Sequence, residues 1–164
     1  MKLGIISDTH DHFDKAEEAA DFFEEKKVDK VIHCGDMICP ATAELFDRGF
    51  DFYAVRGNND GEWGLKSKVE TFGNFYNNIA ELKFDGSEIA VYHGTEEEMV
   101  DAMVESGEYD YVFRGHTHEK KVREVDGTVE INPGGVRLPW QEERIHTVIL
   151  DLESGEFEFH RLEV

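Results

Sequence analysis

The chain has 164 residues, of which 37 are acidic and 17 basic, and its formal net charge is −20. The length fits one domain spanning residues 1–164, and the acidic balance argues against non-specific binding to nucleic acid or to an anionic membrane, because both need basic patches. No segment approaches the roughly 20 apolar residues of a membrane span, and no signal-peptide pattern precedes the first apolar run, so we expect a cytoplasmic protein.

Short apolar runs alternate with helical patterns over the first two thirds of the chain. The runs that predict strands cover residues 3–6, 31–32, 52–55, 89–92 and 109–113. Helices are predicted over residues 14–26, 40–48, 65–72 and 95–107, from apolar spacing and from helix start and stop signals. Asp14 with Glu17, and Thr95 with Glu98, have the spacing of a capping box.

The pattern changes to a period of two beyond residue 119. Strands are predicted over residues 121–125, 128–131, 147–152 and 156–162, with turns at Asp126-Gly127 and Ser154-Gly155. Asp85-Gly86 is an earlier turn of the same kind. Neither a repeat nor a linker divides the chain, so we expect an α/β fold with mixed sheets and helices outside them.

Five short polar motifs follow predicted strands in the first two thirds of the chain, and most of them follow the strand directly. They are Asp8-Thr9-His10, Gly35-Asp36, Gly57-Asn58-Asn59-Asp60, His93-Gly94 and Gly115-His116-Thr117-His118. Residues just past the strand ends of an open α/β sheet face a common crevice. The sequence therefore predicts that carboxylate, imidazole and carboxamide groups converge on a site for two metal ions.

The residue types in these motifs suggest individual roles. We expect Asp8 and His10 to reach one ion from the same side of an extended segment, because side chains alternate with a period of two. Asp36 follows Gly35, which allows a close backbone approach, and its two carboxylate oxygens can each hold a different cation. Asp36 is therefore the predicted bridging ligand. The full candidate set is Asp8, His10, Asp36, Asn58, His93, His116 and His118.

The donor set limits the choice of metal. Oxygen donors combined with four histidines and no cysteine suit Mn²⁺, Fe, Ni²⁺ or Zn²⁺, of which we expect Mn²⁺ first. A Ca²⁺ site would need oxygen ligands alone. The two cysteines, Cys34 and Cys39, lack the spacing of a zinc or redox pair, and we expect both thiols to be buried or half-buried.

The ordered motifs resemble those of the calcineurin-like metallophosphoesterases. The segments HCGD, GNND and VYHG, in a chain this short, are similar to the small archaeal and bacterial phosphodiesterase branch, and the likeness spans residues 1 to about 135. The resemblance implies an αββα sandwich of two mixed sheets flanked by helices. It also implies one ion on Asp8, His10, Asp36 and His118, and another on Asp36, Asn58, His93 and His116.

Position 59 departs from the wider family. Many phosphomonoesterases of this type have histidine there, whereas asparagine cannot donate a proton as an acid, so Asn59 favours a diester substrate. Asp60 resembles a family carboxylate that orients a neighbouring group. We assign catalytic roles to Asp36, Asn58 and Asp60, and substrate contacts to Asn59 and Arg56.

The predicted function is a metal-dependent phosphodiesterase that hydrolyses a small-molecule diester. Two divalent ions can lower the pKa of a shared water toward about 7, so we expect the nucleophile to be a metal-bound hydroxide. The positive charge of the ions would also offset the negative charge of the chain around a bound phosphate. The acidic composition itself fits either plain solubility or a high-salt cytoplasm. One alternative is a phosphomonoesterase or nucleotide phosphatase. The other is a non-catalytic scaffold of the same fold, in which we would expect the ligand motifs to be broken. The sequence also allows a homo-oligomer.

Several further residues have two interpretations. Arg56 and Arg114 precede motif glycines and could contact phosphate, or they could pair with carboxylates. His12 is expected to be an exposed residue of the first helical turn, although it could supply a proton. His33 lies inside a predicted strand and is expected to be a core residue or a group that supports a ligand.

Overall fold

The structure is a computed structural model that describes residues 1–61, 63–135 and 146–162. The elements in chain order are β1 (Lys2–Ile6), α1 (Phe13–Glu25), β2 (Lys30–His33), α2 (Pro40–Glu44), β3 (Asp51–Val55), α3 (Leu65–Val69), β4 (Gly73–Tyr76), β5 (Ile79–Phe84), β6 (Ser87–Tyr92), α4 (Glu97–Glu105), β7 (Tyr111–Phe113), β8 (Lys121–Val125), β9 (Thr128–Asn132), β10 (His146–Asp151) and β11 (Phe157–Arg161).

The strands form two mixed sheets. One has the order β11-β10-β1-β2-β3-β4 and the other the order β5-β6-β7-β9-β8. Strands β1 to β4 are parallel to one another, whereas β10 pairs with β1, and β11 with β10, in antiparallel fashion. In the second sheet β6, β7 and β9 are parallel. The carboxyl ends of β1 to β3 and of β6 and β7 are therefore available to build one site.

Alternate residues of the first sheet face two different apolar layers. Ile6 and Phe52 pack under the first three helices, while Ile5 and Ile32 face the second sheet, where they meet residues such as Phe113. A third apolar cluster packs α4 against the outer face of the second sheet. Burial on both faces explains why the central strands read as continuous apolar runs. The αββα sandwich is confirmed.

The ends of the helices differ from the predictions. Helix α1 starts at Phe13 after His12, and α4 starts after Glu96, and neither start has a side-chain cap, so both predicted capping boxes are wrong. Asp14 instead lies in the first turn, where its charge favours the helix dipole. Helix α2 ends at Glu44 rather than at residue 48, because the chain tightens into turns with three-residue spacing from Thr42 onward.

The strand predictions hold, with two omissions. The runs at the carboxyl-terminal end match β8 to β11, but the β8-β9 hairpin belongs to one sheet and the β10-β11 hairpin to the other. Strand β4 was not predicted, and β5 was indicated only by the turn at Asp85-Gly86. Within the ranges described above, no helix is long and apolar enough to cross a membrane.

Replacement of Phe46 tests the packing under the helices. Its ring is fully buried, lies 5.2 Å from the ring of Phe52 and contacts His33 edge-on. We expect Phe46→Ala to lower the free energy of unfolding by about 3–5 kcal/mol, because it removes a buried ring and leaves a cavity. Urea unfolding measures the change. Phe157→Ala, at a position that is 37% exposed, should cost less than about 1 kcal/mol, and an equal loss in both variants would contradict this core.

Candidate metal centre

The predicted ligands lie on loops at the carboxyl ends of parallel strands. Asp8 and His10 follow β1, Asp36 follows β2, and Asn58 follows β3. His93 comes directly after β6, and both His116 and His118 follow β7. The first group comes from one sheet and the second from the other, so the site lies where the two sheets meet at one end of the sandwich.

Left-handed backbone conformations turn these side chains inward. Five of the seven candidate ligands have positive φ angles, namely Asp8 (54°), His10 (44°), Asp36 (58°), His116 (70°) and His118 (58°). The predicted extended segment from Asp8 to His10 is therefore wrong, although the two side chains do meet. Such residues are uncommon outside glycine and cluster at functional sites, where surrounding structure offsets their strain.

One half of the site contains Asp8, His10 and His118. Asp8 Oδ1 lies 3.3 Å from His118 Nε2 and 3.8 Å from His10 Nε2. The two imidazole Nε2 atoms are 3.2 Å apart. All three side chains can offer donor atoms within 4.8 Å of one another, which is close enough for a single cation.

The other half contains His93, His116 and Asn58. Asn58 Oδ1 lies 3.0 Å from His93 Nε2 and 2.9 Å from His116 Nδ1. Asp36 lies between the halves, because its Oδ2 is 3.3 Å from His93 Nε2 and 3.5 Å from His10 Nε2. The structure thus brings all seven predicted side chains together, with Asp36 in contact with both halves.

The two carboxylates are buried and ionised. Burial raises the pKa of Asp8, but the adjacent imidazoles of His10, His118 and His93 outweigh this effect, so the pKa falls below its usual range. Burial likewise raises the pKa of Asp36, and His93 and Asn59 reverse the shift. Ionised carboxylates are the form that binds cations.

One carboxylate oxygen of Asp8 is buried without a hydrogen-bond partner. Asp8 Oδ2 accepts hydrogen bonds from the Ser7 hydroxyl at 2.5 Å and the His116 amide at 3.0 Å. Asp8 Oδ1 is buried without a hydrogen bond, while it points at the imidazoles of the first half. An isolated buried charge is costly unless it is paired or coordinates a metal. The residues present therefore fit divalent cations.

Asp60 stabilises the loops that carry the candidate ligands and does not lie among the ligands. Its carboxylate accepts backbone hydrogen bonds from Asp36 (3.0 Å), Gly57 (2.7 Å) and Ile38 (2.7 Å). It thus ties the loop after β2 to the loop after β3. This matches the orienting role that the sequence indicates and does not make Asp60 a ligand.

Two supporting groups were missed in the sequence. The Ser7 hydroxyl orients Asp8, and the Cys34 carbonyl accepts a hydrogen bond from His93 Nδ1 at 2.8 Å, which leaves Nε2 facing Asp36. No motif contains a backbone carbonyl, so only the position of Ser7 beside Asp8 offered a signal. Cys34 is buried and Cys39 half-buried, as expected.

The remaining candidates have distinct surroundings. Asn59 donates to both oxygens of Asp36, from its backbone at 2.8 Å and its side chain at 2.7 Å. Arg56 lies over the ring of Phe75, with its Cζ 5.8 Å from the ring centroid. His12 is exposed at the start of α1. His33 is fully buried, and burial lowers its pKa to about 4.

Arg114 does not face the site. Its guanidinium is buried and lies 2.5 Å from Glu97 Oε2 and 3.6 Å from Glu130 Oε1, and it donates to the carbonyl of Gly94. The interpretation of Arg114 as a phosphate contact is therefore wrong. The chain has 37 acidic and 17 basic residues, so carboxylate partners for a buried arginine are plentiful.

Comparisons with known proteins show which family the chain belongs to. The family model for the calcineurin-like phosphoesterase superfamily domain matches residues 1–155. A phosphodiesterase of Methanocaldococcus jannaschii is 36% identical over 138 residues, which cover 82% of this chain and 83% of that protein. A solved archaeal phosphodiesterase is 34% identical, with a TM-score of 0.92 over 99% of this chain and 100% of the other.

A more distant structure shares the fold alone. Zinc-bound Vps29 from Entamoeba histolytica superimposes with a TM-score of 0.72 at 18% identity, over 98% of each chain. At that identity the likeness concerns the sandwich and not the chemistry of the site.

A methyl group at position 57 tests how tightly the two loops fit. A Cβ there would lie 2.1 Å from Asp36 Oδ1 and 2.3 Å from its backbone nitrogen, so the loops would have to separate. We expect Gly57→Ala to destabilise the fold by about 1–3 kcal/mol in thermal unfolding. Gly61→Ala is the control, since its nearest contact would be 3.8 Å, and it should change stability by less than about 1 kcal/mol. Equal stability of both variants would show that the loops are not in contact.

Proposed function

Because the chain belongs to the calcineurin-like phosphoesterase superfamily and is therefore a phosphoester hydrolase, we propose that it is a metal-dependent phosphodiesterase with a dinuclear centre. The observation that carries the proposal is the position of Asp36. Its buried, ionised carboxylate contacts a histidine of each half of the site. A carboxylate in this position can serve two cations at once.

The proposed ligands divide between two ions. Asp8, His10, Asp36 and His118 would hold one, and Asp36, Asn58, His93 and His116 the other. When bound, two divalent ions supply a nucleophilic water at neutral pH and neutralise charge on the phosphoryl oxygens. The buried oxygen of Asp8 that has no hydrogen bond supports a cation in the first half. Mn²⁺ is our first choice, with Fe, Ni²⁺ and Zn²⁺ as alternatives for this donor set.

The chain's own groups keep these donors in place. The Cys34 carbonyl holds the Nδ1 proton of His93, so its Nε2 is the atom available as a ligand. Ser7 and the His116 amide fix Asp8, while Asn59 and Asp60 fix Asp36 and its loop. Donors held in this way need little rearrangement when an ion binds.

A diester is the substrate class that the site favours. Monoesters with poor leaving groups need a proton donor, and Asn59 cannot act as an acid and is already bonded to Asp36. The Methanocaldococcus jannaschii relative is itself named a phosphodiesterase. We further propose that the substrate is a small molecule. Cytoplasmic location remains a prediction.

Metal removal and a pair of substrates test the function. We expect chelation to abolish hydrolysis of bis(4-nitrophenyl) phosphate, and Mn²⁺ to restore it, because no side chain replaces the nucleophilic water. We also expect kcat/KM for diphenyl phosphate to exceed that for phenyl phosphate, which has the same leaving group, by about tenfold or more, since general acid catalysis is worth typically 10²–10⁴-fold where it is present. Full activity after verified metal removal would contradict the mechanism. Preference for the monoester would favour the alternative of a phosphomonoesterase.

Two substitutions separate the bridging carboxylate from a ligand of one ion. Asp36→Asn should lower kcat/KM by about 100-fold or more and weaken binding of both ions, because it removes a shared negative charge. Asn58→Asp should cost about tenfold or less, since an oxygen ligand remains. Calorimetric titration with Mn²⁺ reports the metal content. Asp47→Asn, at an exposed position, is the control. Normal turnover and two bound ions in Asp36→Asn would refute the bridging role.

A further inference from the structure

A polar pocket of about 210 Å³ opens beside Asn58. Arg56 reaches it from the end of β3, and Asn77 and Asn78 from the turn between β4 and β5. Tyr92, at the end of β6, and Glu96, just before α4, belong to the same wall. Asn58 belongs both to this pocket and to the candidate metal centre, so a substrate whose phosphoryl group lies at the centre can extend one substituent into the pocket.

Arg56 lines this pocket without a carboxylate partner in the described part of the chain. Its Nε is buried and has no hydrogen bond, and within residues 1–61, 63–135 and 146–162 its guanidinium forms no ion pair. The Arg56 Cζ lies 5.8 Å from the centroid of the Phe75 ring, so the nearest aromatic neighbour is not a hydrogen-bond acceptor that competes for the guanidinium. In a chain with 37 acidic and 17 basic residues an unpaired arginine is unusual. Because Arg56 lines the pocket and has no carboxylate partner among the described residues, its guanidinium can pair with an oxygen of a ligand there.

Glu96 supplies an acceptor that is held in position. The Tyr92 hydroxyl donates a hydrogen bond to Glu96 Oε2, and the Glu96 amide donates to the same hydroxyl at 3.2 Å. These two bonds fix the carboxylate at the pocket and leave Oε1 outside them. Tyr92 itself is buried, so it forms part of the rigid wall.

The lining indicates the chemistry of the occupant. One guanidinium and one carboxylate balance in charge, and Asn77 and Asn78 add both donors and acceptors. A second anionic group would face Glu96, and an apolar group would leave the polar atoms unpaired. A hydroxyl group fits both partners, because it can accept from Arg56 and donate to Glu96. The volume lies below the roughly 300–1,000 Å³ of a pocket for a complete drug-sized ligand, so it suits one substituent only.

We propose that this pocket binds a neutral, hydroxylated alcohol group of the phosphodiester, such as glycerol or a sugar. The inference rests on the proposed phosphodiesterase function and names the class of its substrate. The pocket then determines specificity, since a site built to hydrogen-bond hydroxyl groups rejects an analogue that lacks them.

Competition between symmetric diesters tests the inference. Bis(glyceryl) phosphate, dipropyl phosphate and bis(2-carboxyethyl) phosphate place the same group in the pocket whichever side of the phosphate enters it. Each is added to the Mn²⁺-loaded enzyme while bis(4-nitrophenyl) phosphate reports activity. We expect the inhibition constant of the glyceryl compound to be at least about tenfold below those of the other two, the size expected for a hydrogen bond to a charged group.

Two matched variants connect this preference to the pocket. Glu96→Ala should reduce the ratio between dipropyl and glyceryl inhibition constants to less than about threefold, and Glu96→Gln should reduce it in part. Glu98→Ala is the control, because Glu98 is exposed in the same stretch and does not line the pocket, and it should preserve the ratio. Calorimetric titration of each variant with bis(glyceryl) phosphate gives a second readout that does not depend on turnover.

The outcomes separate the two proposals. Equal inhibition by the glyceryl and propyl compounds, or tighter binding of the carboxyethyl compound, would overturn the hydroxyl pocket while diester hydrolysis stands. An unchanged ratio in Glu96→Ala would also overturn it. Absence of bis(4-nitrophenyl) phosphate hydrolysis in the metal-loaded enzyme would instead contradict the phosphodiesterase function, and the calorimetric preference would still decide what the pocket binds.

Discussion

Asp8 and Asp36 are buried, ionised and surrounded by imidazoles, and the rest of the site depends on this arrangement. Buried carboxylates normally become protonated, because burial disfavours charge. Here the nearby histidines reverse that effect, and Asp8 Oδ1 still has no hydrogen-bond partner. The folded chain thus keeps two negative charges in a buried site, where a bound cation would stabilise them. This is the physical basis for a cation site in the family to which the chain belongs.

Close backbone contacts and strained turns make this arrangement possible. A Cβ at Gly115 would lie 1.8 Å from Ser7 Oγ and 2.4 Å from Asp8 Oδ2, so the motif glycine allows the loop after β7 to reach Asp8. Asp60 provides the matching constraint on the loops after β2 and β3, through three backbone amides. These loops meet at the end of the sandwich where the two sheets come together. The pocket lined by Arg56 and Glu96 lies at the same end. Recognition of the substrate is therefore proposed to depend on the same strand ends as the chemistry.

The motifs predicted which side chains meet, but not how the backbone brings them there. Polar residues after buried strands identified the seven side chains that lie together, because the carboxyl ends of parallel strands converge. The path from Asp8 to His10 was wrong, since spacing alone does not distinguish an extended segment from a left-handed turn. Strand β4 was missed because Gly73 and Asn74 are poor strand formers, and only pairing with β3 at the sheet edge stabilises them. The pocket could not be predicted either, because Arg56 and Glu96 share no motif and line one pocket only through the topology.

The central claim is that Asp36 joins two cations in a single dinuclear centre. Electron paramagnetic resonance of the protein titrated with Mn²⁺ tests it most directly, because two ions bridged by a carboxylate are magnetically coupled. The account predicts that the hyperfine pattern of isolated Mn²⁺ gives way to the signal of a coupled pair as the second equivalent binds. Saturation at one equivalent, or two equivalents that both keep the spectrum of isolated ions, would contradict it.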